Sequence, residues 1–392
     1  MNARPDVFLP WNRPSIGDEE IAEVTDTLRS GWLTHGPKAI QFEYEVRQAL
    51  GQEDSFAVSS CTAALHLGLL AADIGPEDQV ITPSLTFCAA PNAIVQTGAD
   101  PVFVDVDADT CNIDLAATEA AITNDTKAIV VMHYGGHPCD LIAFRKLADD
   151  HGLILIEDAA HALQASRAGY RAGSVGDLTT LSFYANKVIT SGEGGMLLGR
   201  ARLVERARLL GRHGIDSSVW QRHGRRNTAD YEVTVPGLKY VMSDITAAVG
   251  LQQFRKLPAF TARRREIAEM YTSEFAGLHG MVLPTVLDEV EHGWFLYSVL
   301  IDPDACGMTR DMVADRLLTG HMIGTSCHFK PVHALAAYDR HQPRSCLRGA
   351  QKMHPLQVTD RVAGQQLSLP CYPAMTDDDV MRVVRALHTI LS

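Results

Sequence analysis

Lys187 is set between a short apolar run, Leu181-Ser182-Phe183, with Tyr184-Ala185-Asn186 after it, and a glycine-rich turn, Gly192-Glu193-Gly194-Gly195. This setting predicts a lysine held at the end of a strand rather than one solvated at the surface. Upstream, Leu153-Ile154-Leu155-Ile156 reads as a buried strand that delivers Glu157-Asp158 to its carboxyl end, where open α/β sheets bind ligands. An amine and a carboxylate so placed suit pyridoxal phosphate. The amine forms a Schiff base, and the carboxylate keeps the pyridine nitrogen protonated so that the ring acts as an electron sink.

Further residues extend this chemistry. In Val58-Ser59-Ser60-Cys61-Thr62-Ala63 a strand end meets a helix start, and free N–H groups at such a junction bind anions. The simpler reading is N-capping by Ser60 or Thr62. Beside Lys187 and Asp158 the junction becomes a candidate for the cofactor phosphate, with Ser182 as a further hydroxyl donor. Phe87 lies just beyond the strand end Ile81-Thr82-Pro83, placed either to stack on a flat heterocycle or to join the core. His161 follows Asp158 closely, within reach of the cofactor's phenolic oxygen, or else it is a satisfied buried histidine. No metal site is expected. Glu157 to His161 lacks the second histidine of an HExxH helix, and glycines separate His133 from His137.

The elements that must position these residues alternate in type. Gln79 to Thr82, Pro101 to Val106, Ala128 to Met132, Leu153 to Ile156 and Thr179 to Phe183 read as strands; Thr62 to Ala72, Cys88 to Gln96, Asp114 to Ile122 and Ile142 to His151 read as helices. That order predicts a mostly parallel sheet covered on both faces. Trp220 to Pro236 reads as an arginine-rich loop. Helices are expected from Ser243 to Leu257 and, past a break at Pro258, from Thr261 to Phe275. A strand (Phe295 to Ile301) and helices (Arg310 to Leu318, Asp377 to Leu391) follow. With 392 residues a large domain plus a smaller one is expected: residues 1–255, with the N-terminal segment, and 256–392.

Composition narrows the function classes. A formal charge of -12 argues against nucleic-acid binding, which calls for a basic face. Arg222, Arg225 and Arg226 form one basic cluster, which either meets an anionic substrate or is solvated. Arg263, Arg264 and Arg265 form another, read as a solvated helix face. Eight cysteines without a CxxC pair fit reduced thiols of a cytoplasmic protein. Met1 to Pro14 lacks the pattern of a signal peptide, and no apolar run approaches membrane-spanning length.

Ile156 to Ala162, Ser182 to Lys187 and Gly192 to Gly195 together resemble the DegT/DnrJ/EryC1/StrS family, the pyridoxal-phosphate sugar aminotransferases. The resemblance runs through nearly the whole chain. It includes Ser30-Gly31-Trp32-Leu33-Thr34-His35-Gly36-Pro37, Thr82 to Phe87, Arg212-His213-Gly214, Gly237 to Tyr240, Met242 to Ile245 and Leu367 to Pro370. It implies the aspartate aminotransferase-like fold type I: a large domain with a mostly parallel seven-stranded sheet and a smaller C-terminal α/β domain. Carried over residue by residue, it makes Lys187 the Schiff-base lysine, which also moves the proton at the substrate's Cα. Asp158 would pair with the pyridine nitrogen, His161 would meet the phenolic oxygen, and Phe87 would stack on the ring. Thr62, Ala63 and Ser182 would hold the phosphate. Lys239 joins the cofactor-binding set, and Thr34, Arg212 and His328 are implied as substrate contacts.

The family's active site is completed across a homodimer. Two positions depart from its common pattern: many members have Asn in place of Lys239, and Arg or Asn in place of Val241. Lys239 is also similar to a subgroup acting on UDP-linked 4-keto sugars, the UDP-4-amino-4-deoxy-L-arabinose type. The implied reaction takes an amino group from glutamate, leaving 2-oxoglutarate, and passes it to a nucleotide-linked keto sugar at C4. C3-keto sugars and keto-cyclitols are alternatives, because no motif reads the ring position. Lys187 argues against the dehydratase branch, where a histidine replaces it. Intact Lys187, Asp158 and Ser182 argue against a cofactor-binding regulatory homologue without turnover.

Overall fold

The structure, a computed structural model, describes residues 7–216, 231–339 and 355–392. Seven runs build its main sheet: β1 (Asp54–Val58), β2 (Gln79–Pro83), β3 (Asp100–Val104), β4 (Thr126–Met132), β5 (Ile154–Asp158), β6 (Leu178–Ser182) and β7 (Gly195–Gly199). Their spatial order is β1-β7-β6-β5-β4-β2-β3, and β7 alone runs against its neighbours. Alternation along the strands separates two apolar layers. Ile129, Val131 and Leu155 pack with Phe144 and Leu147 of the helix Leu141–His151. Val130, Ile156, Leu178 and Leu197 pack with Leu65, Leu67 and Leu69 of the helix Cys61–Ala71. Burial on both faces explains why these strands read as near-continuous apolar runs.

The expected break at Pro258 does not occur. Asp244–Glu274 is a single helix of 31 residues with Pro258 inside it. An interior proline costs about 3 kcal/mol through a lost hydrogen bond and a clash with the preceding turn; packing on both sides of it outweighs that cost. Before it, Leu251 and Leu257 share a core with Phe42, whose ring lies so near Gly250 that a Cβ there would come within 2.7 Å of it. After it, Ile267, Ala268 and Tyr271 join a second core with Tyr297 and Leu387. The same helix corrects the reading of its arginine triplet, because successive helical residues point about 100° apart. Arg263 pairs with Glu266 and Asp377 at the surface. Arg264 is fully buried, and its Nη1 donates to the carbonyls of Trp294, Phe295 and Cys371.

The start of this helix also holds the N-terminal part of the chain. Gly36 precedes the helix Pro37–Leu50 and has no side chain to cap it. Asp244 caps it instead: Oδ1 accepts from Gly36 N at 2.7 Å and Ala39 N at 3.1 Å, and Oδ2 accepts from Lys38 N at 3.1 Å. Toward the C-terminus, Met281–Val282, Tyr297–Ile301 and Gln366–Leu369 form a small antiparallel sheet flanked by the helices Arg310–His321 and Asp377–Leu391. The strand expected from Phe295 thus starts at Tyr297. Arg222, Arg225 and Arg226 lie outside the described residues. Among the described residues no helix is long and apolar enough to cross a membrane.

Candidate active site

Neighbouring residues of a strand face opposite sides, so β5 sends its two terminal carboxylates to different places. Glu157 is fully buried and accepts from Gly173 N (2.6 Å), Val175 N (2.9 Å) and Gly176 N (2.6 Å), with His133 Nε2 at 2.9 Å. Against the penalty of burial, His133 and these amides hold its carboxyl below the usual range. Glu157 therefore pins the loop before β6. Asp158 instead faces a cavity of about 540 Å3. Burial raises its carboxyl above the usual range, opposed by the Ala160 N–H (3.1 Å to Oδ1), Lys187 and His133.

Lys187 reaches the same cavity from a turn, not from a strand end: β6 stops at Ser182, and Lys187 N donates to Tyr184 O at 2.9 Å. Burial pushes its amine down to about 8, against the pull of Asp158 and Cys61. His161 is buried beside it, and its Nδ1 accepts from Gly135 N at 3.4 Å. A backbone N–H can only donate, so the ring proton of neutral His161 sits on Nε2, the tautomer that donates to an oxygen. Burial, Lys187 and His328 keep the ring neutral by driving its pKa well down.

Thr62, Phe87, Ser182 and His328 line the same cavity. Ser60, not Thr62, caps the helix Cys61–Ala71, its Oγ accepting from Ala63 N at 3.1 Å. Ala63 is buried behind that cap. The N–H groups of Cys61 and Thr62 lie in the first turn, where no intrahelical acceptor exists. Gly195 closes the corner: a Cβ there would lie 2.4–2.6 Å from the backbone of Ser60 and Cys61, so glycine alone lets β7 approach. Phe87 is 57% exposed, an open aromatic face on the cavity wall. His328 Nδ1 bonds Ser368 Oγ at 2.9 Å, and burial drives its pKa to about 3.

Three expected residues lie apart from this lining. Thr34 is exposed, and its carbonyl accepts from Asp244 N. The Arg212 guanidinium sits 5.3 Å over the Phe56 ring. Lys239 is exposed on a backbone bridge with Arg212. Val241 bridges Val58 and packs against the apolar cluster of Phe56 and Val58, an environment that suits valine. Sequence reasoning missed Phe295, whose ring centroid is 4.6 Å from Lys187 Nζ and 4.2 Å from that of His161. It also missed Trp11, whose ring centroid lies 4.8 Å from that of His328. Only three-dimensional contact marks these two, since neither stands near a motif.

The donor set fits pyridoxal phosphate. A helix N-terminus with free amides and the Thr62 and Ser182 hydroxyls suits the phosphate, the open Phe87 face a planar ring, Asp158 a ring N–H, and Lys187 the aldehyde carbon. Comparison with known proteins agrees. The model of the DegT/DnrJ/EryC1/StrS aminotransferase family matches residues 14–388. The spore coat polysaccharide biosynthesis protein SpsC of Bacillus subtilis is 44% identical over 385 residues, covering 98% of this chain and 97% of its own. The putative sugar aminotransferase Spr1654 of Streptococcus pneumoniae, solved in its PLP form, superposes with a TM-score of 0.88 at 28% identity over 98% of each chain. DesI, solved in the presence of its TDP-sugar product, superposes with a TM-score of 0.85 at 33% identity over 98% of this chain and 93% of its own.

Proposed function

We propose, since this chain belongs to the DegT/DnrJ/EryC1/StrS aminotransferase family and is a pyridoxal-phosphate-dependent aminotransferase, that it moves the amino group of glutamate to the C4 keto group of a nucleotide-linked sugar. The product is an amino sugar for a surface glycan or a natural product. The observation that carries this reading is the meeting of Lys187 and Asp158 in one cavity with an open aromatic face and a helix N-terminus. The TDP-sugar product of DesI and the polysaccharide role of SpsC support the substrate class.

Bound pyridoxal phosphate supplies the carbon that Lys187 attacks and the sink for electrons released at the substrate. The protein's part is electrostatic and positional. Asp158 would hold a proton on the ring nitrogen, and His161 Nε2–H would donate to the ring oxygen. Lys187 Nζ, at about 8, would take a proton from the substrate carbon and deliver it to the cofactor carbon near neutral pH, as a general base needs. Phe87 would shield one ring face from water, and the helix start would bind the phosphate.

The same proposal covers the arrangement of the chain: a large domain of residues 1–255, a small one of residues 256–392, and a homodimer with shared sites in the cytoplasm. Two apolar clusters lie mainly on opposite sides of that division, a third, with Phe42, Leu257 and Phe295, joins the two parts, and the free thiols of the described cysteines support the compartment. Exposed Lys239, with Phe87 and Tyr184 exposed at the cavity, supports a partner chain at the site. Lys239 would neutralise the cofactor phosphate or the sugar diphosphate of that partner. Mixing Lys187→Ala and Lys239→Ala chains should then restore one working site per mixed dimer; verified mixed dimers without activity would exclude action in trans.

The decisive test of the reaction is incubation with glutamate and a panel of UDP-, dTDP- and GDP-linked 3-keto and 4-keto sugars, with mass detection of the amine. We expect a product with a 4-keto sugar. Amination of 3-keto sugars only would move the assignment to C3.

A further inference from the structure

We propose that Phe295 is the resting face of the Lys187 amine, the surface on which Nζ lies when it is not covalently engaged and which favours its protonated form; this rests on the reading of Lys187 given above. The ring lies beneath Nζ at 4.6 Å, within the range where the negative face of an aromatic ring attracts a cation. Among the described residues Lys187 Nζ makes no ion pair and no hydrogen bond, and Asp158 and Cys61 act on it through space.

The face is also fixed in advance. Phe295 is 1% exposed. Its carbonyl accepts from buried Arg264, and Leu296 N donates to Gly135 O at 3.0 Å. The His161 ring packs against it at 4.2 Å, and Trp11 meets it edge-on at 6.4 Å. A ring so wedged cannot swing away when Nζ arrives, so it constrains the amine at no cost in reorganisation. The charged and titratable groups around Nζ are Asp158 on β5, Cys61 at the helix start, His161 and His328. Asp158 favours the cation from a distance, and the two neutral imidazoles leave Phe295 as the surface in contact with it. Its function would be to keep the amine parked within reach of the cavity while retaining a proton to give back.

The test replaces Phe295 in the full-length chain by phenylalanine analogues carrying one, two and three ring fluorines, which keep the shape and drain negative charge from the face. The Lys187 pKa is read in cofactor-free chain from the pH dependence of acylation of the Lys187 peptide, with circular dichroism to verify the fold. The pKa should fall stepwise from about 8, by about 0.4–1.5 units over the series. Phe295→Leu should move it in the same direction. A flat series overturns the proposal. Its failure is separable from failure of the Lys187 reading, which borohydride labelling of a different lysine in the wild-type chain would reveal without altering the titration.

Discussion

Lys187→Ala should give a folded chain that still takes up pyridoxal phosphate but loses the exchange of an amino group with glutamate, with a rate loss of at least about 10²–10⁴-fold. The alanine removes both the nucleophile and the group that moves the proton, while the Phe87 face, the helix start and Asp158 remain to hold the cofactor. Absorbance changes on adding glutamate, in single turnover, measure the loss; a variant retaining a tenth of the wild-type rate would refute the assignment. The amine's position makes a second, signed prediction. At pH 7 an amine with a pKa of about 8 is neutral in roughly one molecule in ten, against about one in three thousand for an amine at 10.5. Burial disfavours the ammonium and so favours the form that attacks. Covalent cofactor uptake by the cofactor-free chain should accelerate as pH rises through about 8 and level off above it. A rate indifferent to pH between 6 and 9 would sink the argument.

Asp158→Asn should slow transamination by orders of magnitude without unfolding the chain. The amide has nearly the same shape and keeps an oxygen to accept from Ala160 N, so packing changes little. It loses the charge that favours a proton on the ring nitrogen, in a site where low polarity makes that charge count for more than in water. Rapid-mixing measurement of the glutamate half-reaction is the readout. A loss below about tenfold, or about 1.4 kcal/mol of barrier, would mean that another group protonates the ring.

Asp158 and Lys187 are legible in the sequence because each is tied to its cavity by a short stretch of backbone, a strand end and a turn. Glu157 beside Asp158 has the same local credentials, and only strand alternation, together with Gly173, Val175 and Gly176, assigns it to the scaffold. The arginine triplet fails for a similar reason: Arg264 finds carbonyl partners about 30 and 107 residues away, which no window along the chain reveals. Pro258 is a local signal overruled by two cores. Phe295 looks like the first residue of a strand, and its meeting with Lys187 depends on how distant segments pack.

The cap that Asp244 provides bears on the order in which the protein is made. Gly36 and Asp244 lie 208 residues apart, so at about 5–20 residues per second the ribosome needs roughly 10–40 s to supply the second after the first. β1 waits as well, since its sole sheet neighbour, β7, begins at Gly195. Through that interval the helix bearing Phe42 and Val46 has neither its cap nor its layer, and its apolar side is open to whatever the nascent chain meets. A segment synthesised well before its partners is thus among the last to find its place, and chaperone contact during translation should concentrate there.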